Sequence, residues 1–137
     1  MKIAKEFNWE MGHRLKFHNG KCKNLHGHSY KCIVELTGEP DANGMVMDYY
    51  DLNKLVNPII DELDHSFMVF KNDVEVIDAL DKLNSRKVVV EFETTAENIC
   101  GYLLDRIKLK SLPSNIKSVK VRVLETENSY AEEAINF

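Results

Sequence analysis

The chain has 137 residues, of which 44% are hydrophobic and 29% are charged, and its formal net charge is −4. This length and composition suit one domain, residues 1–137, with its own hydrophobic core, and they exclude an intrinsically disordered chain. The acidic balance argues against a general nucleic-acid-binding protein, and no apolar run is long enough to span a membrane.

Two features of the composition bear on ligand and location. Up to residue 31 the chain carries seven basic and two acidic residues, which either favours a small polyanionic substrate or is an ordinary solvated surface. The three cysteines cannot all pair with one another, and the N-terminus lacks the pattern of a signal peptide. We therefore expect free thiols and a cytoplasmic location.

The first two predicted elements are strands at residues 2–12 and 27–38. Apolar residues alternate along both, as in strands with one buried face: Ile3, Phe7, Trp9 and Met11, then Tyr30, Cys32, Val34 and Leu36. Asn43 and Gly44 next predict a hairpin turn, with residues 45–47 returning along the second strand.

The next predicted element is an amphipathic helix capped by Asp48. Its apolar residues follow helical spacing: Leu52, Leu55, Val56, Ile59, Ile60 and Leu63. Pro58 lies inside this pattern and predicts a kink or a boundary. The following segment, residues 71–86, has no clear pattern and would hold at most a short helix.

A second helix is predicted at "TTAEN", where Thr94 and Glu97 have the spacing of a capping box. Pro113 lies beyond its end. The alternating segment "SVKVRVLE" then predicts a strand, and a last short strand is expected near residues 130–137. The order predicts an α+β fold, in which two helices pack on one face of an antiparallel sheet.

All five histidines lie in the first half of the chain. His26 and His28 point to the same side of a strand, ~7 Å apart, and Gly27 leaves the opposite face open. His13 ends the first strand with a parity that brings it alongside this pair. Three imidazoles with a free fourth position are typical of a catalytic zinc site. The simpler alternative is that these three are ordinary hydrogen-bonded histidines. His18 is expected to lie in an exposed loop.

Two further places hold charged residues in unusual positions. Glu125 continues the parity of three core valines, which predicts either a ligand-binding carboxylate or a solvated strand end. Asp64 precedes His65 just after the first helix, where an acid would orient an imidazole for proton transfer.

Six motifs occur in an order that resembles one family: "FNWEMGHRL", "CKNLHGHSY", "MDYYDL", "LDHS", "TTAEN" and "VLET". The sequence resembles the 6-pyruvoyl-tetrahydropterin synthase family, and most closely its 6-carboxytetrahydropterin synthases of queuosine biosynthesis. The resemblance implies the tunnelling fold, with trimers that close barrels and two trimers that form a hexamer. It also implies active sites between subunits.

The resemblance assigns a role to each candidate residue. It implies a zinc ion on His13, His26 and His28, and it makes Glu125 the carboxylate that anchors a pterin. Cys22 corresponds to the catalytic cysteine, and Asp64 and His65 correspond to the acid–base pair that works with it. Thr95 and Glu97 fall where the family has further pterin-pocket residues, although a capping box would explain Glu97 equally well. Glu93 departs from the family, which commonly has proline there.

The implied substrate is 7,8-dihydroneopterin triphosphate, and the implied products are 6-carboxytetrahydropterin, acetaldehyde and triphosphate. Zinc would act as a Lewis acid, while Cys22 and His65 would exchange protons with the substrate. Three residues separate Cys22 from His26, a spacing typical of the carboxy-forming enzymes. Two alternatives remain: a 6-pyruvoyltetrahydropterin synthase with the same site, and a zinc-binding scaffold without catalysis.

Overall fold

The computed structural model describes residues 1–137, which form one six-stranded sheet and three α-helices. The elements in chain order are β1 (Lys2–His13), β2 (His26–Gly38), α1 (Tyr49–Leu63), β3 (Ser66–Phe70), α2 (Val74–Lys82), β4 (Lys87–Val90), α3 (Ala96–Lys108), β5 (Ile116–Thr126) and β6 (Ser129–Asn136). A short 3₁₀ turn, Lys21–Lys23, precedes β2. The predicted α+β class is confirmed, and none of the helices has the length and apolar character needed to cross a membrane.

The strands lie in the order β4-β3-β1-β2-β5-β6. β1 pairs antiparallel with β2, β2 with β5, and β5 with β6, which agrees with the predicted antiparallel sheet. β3 instead runs parallel to β1, and β4 runs parallel to β3. The prediction of a wholly antiparallel sheet is therefore wrong at this edge, because the chain returns through α1 and α2 and not through hairpins.

The alternation predicted for β1 and β2 is confirmed. Trp9 and Met11 of β1 are buried, and so are Tyr30 and Cys32 of β2, while the residues between them are more exposed. The buried face packs against α1 and α3 in one large apolar cluster. Two helices on one face were predicted, and both are present.

The remaining helix, α2, lies on the other side of the sheet. Its residues Val76 and Leu80 pack with Val69 of β3 in a separate small cluster, whereas Met68, the preceding residue in β3, belongs to the main core. Because successive strand residues point to opposite faces, α2 covers the face of the sheet opposite to α1 and α3. Residues 71–86, which have no clear sequence pattern, thus contain the short helix α2 and lead into β4.

Three local predictions differ from the structure. Gly44 does form a turn, with φ of 83°, but Asp41 closes it by accepting hydrogen bonds from the amides of Asn43 and Met45, and residues 45–47 are not a strand. α1 begins at the predicted cap, Asp48, and continues through the exposed Pro58, so Pro58 does not mark the boundary that was one of its two predicted effects. A proline there removes one donor on the solvated side of the helix, where water can satisfy the free carbonyl.

The third difference concerns the start of α3. Its N-cap is Thr95, whose side chain accepts a hydrogen bond from the amide of Asn98 at 3.2 Å. The predicted capping box of Thr94 and Glu97 is therefore wrong by one residue. Thr94 is left free to make other contacts, and it is fully buried.

Candidate metal centre and catalytic residues

Three histidine side chains converge where β1 ends and β2 begins. His13 lies directly opposite His26 in the strand register, and Met11 lies opposite His28. The three potential ligand atoms all lie within 4.8 Å of one another. The ring centroids are 4.6 Å apart for His13 and His26, 4.9 Å for His26 and His28, and 5.2 Å for His13 and His28.

Backbone carbonyls determine which imidazole nitrogen faces this cluster. His13 Nδ1 lies 2.7 Å from the carbonyl oxygen of Thr94, and His26 Nδ1 lies 2.7 Å from that of Asn24. A carbonyl oxygen only accepts, so each Nδ1 carries the proton and each neutral ring leaves a lone pair on Nε2. The Nε2 atoms of His13 and His26 are buried and have no hydrogen-bond partner.

The unpartnered nitrogens fit a metal ion. Leaving a buried polar atom unsatisfied costs on the order of 1–3 kcal/mol, and a bound cation would remove that cost. The pKa of His13 is lowered to about 4, mainly by burial and also by the neighbouring His26 and His28, while the hydrogen bond to Thr94 opposes the shift. Burial also lowers the pKa of His28. Neutral imidazoles at neutral pH are the form that coordinates zinc.

Glu125, near the end of β5, faces the same cluster. Its carboxylate oxygens lie 3.9 Å from Nε2 of His13 and 3.9 Å from Nε2 of His28. The Tyr30 hydroxyl donates to it at 3.4 Å. Burial raises the pKa of Glu125, an effect that the Tyr30 hydrogen bond opposes. The Glu125 carboxylate thus faces the histidines and is not a solvated strand end. Tyr30, which was predicted only as a core residue, is its hydrogen-bond partner.

Asp64 and His65 are in direct contact, as predicted. Asp64 Oδ1 lies 3.0 Å from His65 Nδ1 and also accepts a hydrogen bond from the amide of Glu10 at 2.9 Å. That amide hydrogen bond and the adjacent His65 lower the pKa of Asp64. His65 has φ of 58°, an uncommon backbone conformation for a residue other than glycine, and its side chain is 76% exposed.

His65 faces a different side of the sheet from the histidine cluster. It lines a cavity of about 430 Å³ with Glu10, Gly12, Gly27 and Ser29. These four residues alternate along β1 and β2 with the cluster histidines, so they belong to the opposite face. His28 is the one cluster histidine that also borders this cavity. The structure thus joins Asp64 to His65 but does not gather this pair around the histidine cluster of the same chain.

Cys22 lies in the 3₁₀ turn before β2 and is half-buried. Its carbonyl accepts from the amide of Leu15 at 2.8 Å. Asn24 connects this turn to the cluster, because its side chain donates to the carbonyl of Lys21 at 3.0 Å and its own carbonyl accepts from His26. Hydrogen bonds of Asn24 therefore link the thiol-bearing turn to His26.

The other cysteines differ from Cys22. All three thiols are free, and Cys32 and Cys100 are buried in the main core. Burial raises the pKa of both core thiols, that of Cys100 to about 11. A protonated, enclosed thiol is a poor nucleophile or base. Cys22 is the only cysteine that solvent reaches appreciably.

Thr95 and Glu97 lie at the start of α3. The Thr95 hydroxyl caps the helix, and the exposed Glu97 lines a small cavity beside Tyr130 and Glu133. The charge of Glu97 is close enough to raise the pKa of Glu125 further. Within one chain neither residue joins the histidine cluster. His18 is exposed, as expected, and hydrogen-bonds only the nearby amide of Gly20.

Comparison with known proteins identifies the family. The family model of 6-pyruvoyl tetrahydropterin synthase matches residues 2–134. A Haemophilus influenzae protein named 6-carboxy-5,6,7,8-tetrahydropterin synthase is 38% identical over 96% of each chain, and an Aquifex aeolicus protein of the same name is 35% identical over 96% of each. The crystal structure of 6-pyruvoyl tetrahydropterin synthase from Plasmodium vivax has a TM-score of 0.81 at 21% identity, covering 100% of this chain and 98% of that one. The fold is therefore the tunnelling fold of these proteins, and the chain belongs to the 6-pyruvoyl tetrahydropterin synthase family of pterin enzymes.

Proposed function

We propose that the protein is a zinc-dependent 6-carboxy-5,6,7,8-tetrahydropterin synthase. It would convert 7,8-dihydroneopterin triphosphate and water into 6-carboxytetrahydropterin, acetaldehyde and triphosphate, as a step of queuosine biosynthesis. The observation that carries this proposal is the convergence of three imidazoles with two buried, unpartnered Nε2 atoms, faced by a carboxylate. The two relatives described above match this chain over nearly their whole length and are named as carboxy synthases, which supports the choice of reaction.

The proposed site assigns one task to each side chain. A zinc ion held by His13, His26 and His28 would supply a Lewis acid for the side-chain hydroxyls of the substrate. Glu125 would anchor the pterin ring, because a half-buried carboxylate can accept hydrogen bonds from the ring N–H and the exocyclic amino group. Thr95 and Glu97 are proposed to complete the pterin pocket.

Cys22 and the Asp64–His65 pair would move protons. The thiolate of Cys22 would remove a proton from the substrate side chain, and its turn is tied to the metal ligand His26 through Asn24. Asp64, 3.0 Å from His65 Nδ1, holds the imidazole in one orientation, which suits a general acid or base.

We further propose that each active site combines residues from different copies of the chain. His65 lines a cavity on the sheet face opposite to the buried side of the histidine cluster. One substrate would meet both groups if a second copy contributed its Asp64–His65 pair. An assembly of two trimers, as the resemblance implies, would supply such a copy.

The main alternative is a 6-pyruvoyltetrahydropterin synthase, which would eliminate triphosphate without cleaving the side chain. Lys23, Asn24 and Leu25 are the only residues between Cys22 and His26. A short connection limits which carbon-bound proton the thiolate reaches, and small misplacements cost large factors in rate. We infer that this turn favours cleavage.

Product analysis tests the proposal. The purified zinc-loaded protein is incubated with 7,8-dihydroneopterin triphosphate, and acetaldehyde and the pterin products are measured by mass spectrometry. We expect one acetaldehyde for each triphosphate released. Triphosphate release with a pyruvoyl side chain and no acetaldehyde would establish the alternative reaction, and a zinc-loaded protein that consumes no substrate would favour the non-catalytic scaffold.

A further inference from the structure

Thr94 contacts His13 although it lies 81 residues further along the chain. Its backbone carbonyl accepts from His13 Nδ1 at 2.7 Å, and its hydroxyl oxygen lies 3.2 Å from the same nitrogen. Both residues are 1% exposed. The threonine side chain is thus a buried polar group beside the ring of a proposed metal ligand.

The direction of the Thr94 hydroxyl follows from its second contact. The hydroxyl donates to the carbonyl of Arg14 at 3.4 Å. It has only one hydrogen, so a lone pair of its oxygen remains for His13 Nδ1–H. The single proton on Nδ1 is therefore shared between two acceptors of the same residue, its carbonyl and its hydroxyl.

The surroundings suit a positioning role for this hydroxyl. Arg14, next to His13, forms two 2.7 Å hydrogen bonds with Asp73, which hold the end of β1 from the side of α2. Thr94 holds the same backbone from the start of α3. His26, in contrast, has only the carbonyl of Asn24, two residues away in its own segment, as an Nδ1 acceptor. His13 is the ligand whose ring orientation depends on a distant element.

We propose that the Thr94 hydroxyl is a positioning group for His13 and thereby strengthens metal binding by the histidine cluster. This inference rests on the proposed metal site. Removing the outer hydrogen-bond partner of a metal-ligating histidine typically lowers metal affinity ~10–100-fold. The carbonyl of Thr94 remains in any variant, so we expect a loss at the lower end, about 10-fold.

The test uses three variants and the unmodified protein, all stripped of metal. Thr94→Val removes the hydroxyl at constant shape, Thr94→Ser keeps the hydroxyl, and Thr95→Val removes the neighbouring helix-capping hydroxyl that does not touch His13. Co²⁺ is titrated into each protein, and the dissociation constant is read from the visible absorption of the bound ion. Circular dichroism and thermal unfolding report the fold.

We expect Thr94→Val to bind Co²⁺ about 10-fold more weakly, Thr94→Ser to bind almost as tightly as the unmodified protein, and Thr95→Val to lose thermal stability but not affinity. Equal affinities of Thr94→Val and the unmodified protein would overturn the inference and leave the metal site intact. If the unmodified protein binds no Co²⁺, the proposed metal site itself is wrong, and the inference falls with it. Should Thr94→Val not fold, Thr94→Ala and Thr94→Ser decide in its place, since equal affinities of these two would also contradict the role.

Discussion

His13 and His26 are direct cross-strand partners at the ends of β1 and β2, and each donates its Nδ1 proton to a backbone carbonyl at 2.7 Å. Both Nε2 lone pairs are thereby free, and both are buried without a partner. Antiparallel pairing brings the rings together, and the carbonyls of Thr94 and Asn24 orient them. The cluster is consequently arranged for a cation by the fold itself.

The first prediction concerns the third histidine. His28→Ala should lose most of the bound zinc, because two imidazoles hold the ion much more weakly than three. Elemental analysis of the purified variant measures this loss. His18→Ala, in which an exposed loop histidine is removed, is the control and should keep about one zinc per chain. Full zinc occupancy in His28→Ala would exclude His28 from the ligand set.

The second prediction concerns the thiols. Cys22→Ala should keep its fold and its zinc but lose turnover by several orders of magnitude, because it removes the proposed base. Cys32→Ala and Cys100→Ala remove buried thiols from the core, so they should cost about 1–2 kcal/mol of unfolding free energy and leave turnover largely unchanged. Near-normal turnover of Cys22→Ala would contradict the assigned mechanism.

The third prediction concerns the pH dependence of stability in the metal-free protein. Burial lowers the pKa of His13 from 6.5 to about 4, so between these values the unfolded chain binds more protons than the folded one. The contribution of His13 is fully present above pH 6.5 and is lost as the pH falls towards 4. At ~1.4 kcal/mol per pKa unit, the loss is about 3 kcal/mol.

Urea unfolding at pH 7 and pH 5 measures about 2 kcal/mol of this loss, because at pH 5 the folded-state His13 is still mostly neutral. The unmodified protein should lose stability on acidification, while His13→Asn should lose less because it has no imidazole to protonate at that position. An equal loss in His13→Asn would show that His13 is not the group responsible.

The fourth prediction concerns the division of the active site between copies. His28→Ala lacks a metal ligand and His65→Ala lacks the proposed acid–base group, so each variant alone should be inactive. If the two groups of one site come from different chains, unfolding the variants together and refolding them as mixed assemblies should restore up to about a quarter of the activity, by random assortment. No recovery in verified mixed assemblies would place both groups of a site on one chain.

Much of the fold could be predicted from local patterns. The alternation of Trp9 and Met11, and of Tyr30 and Cys32, marked the buried faces of β1 and β2, and these parities placed His13, His26 and His28 on one side. Antiparallel neighbours close in sequence make such a register readable. The sequence therefore predicts the histidine cluster correctly.

The parallel strands and the role of Thr94 could not be predicted from the sequence. β3 and β4 are short and are joined to their partners through helices. Neither a hairpin turn nor a long alternation of apolar and polar residues therefore indicates them in the sequence. Thr94 and Thr95 are both good N-cap residues, and only the tertiary structure decides that Thr95 caps α3 while Thr94 contacts His13. A hydrogen bond between residues 81 positions apart leaves no local signal.

Zinc add-back tests directly whether the protein is a zinc-dependent enzyme. Metal-free protein is titrated with zinc, and the formation of acetaldehyde from 7,8-dihydroneopterin triphosphate is followed at each zinc-to-chain ratio. We expect no turnover without metal and a rise that ends at about one zinc per chain. Full turnover by the metal-free protein, or none at any zinc ratio, would contradict this expectation.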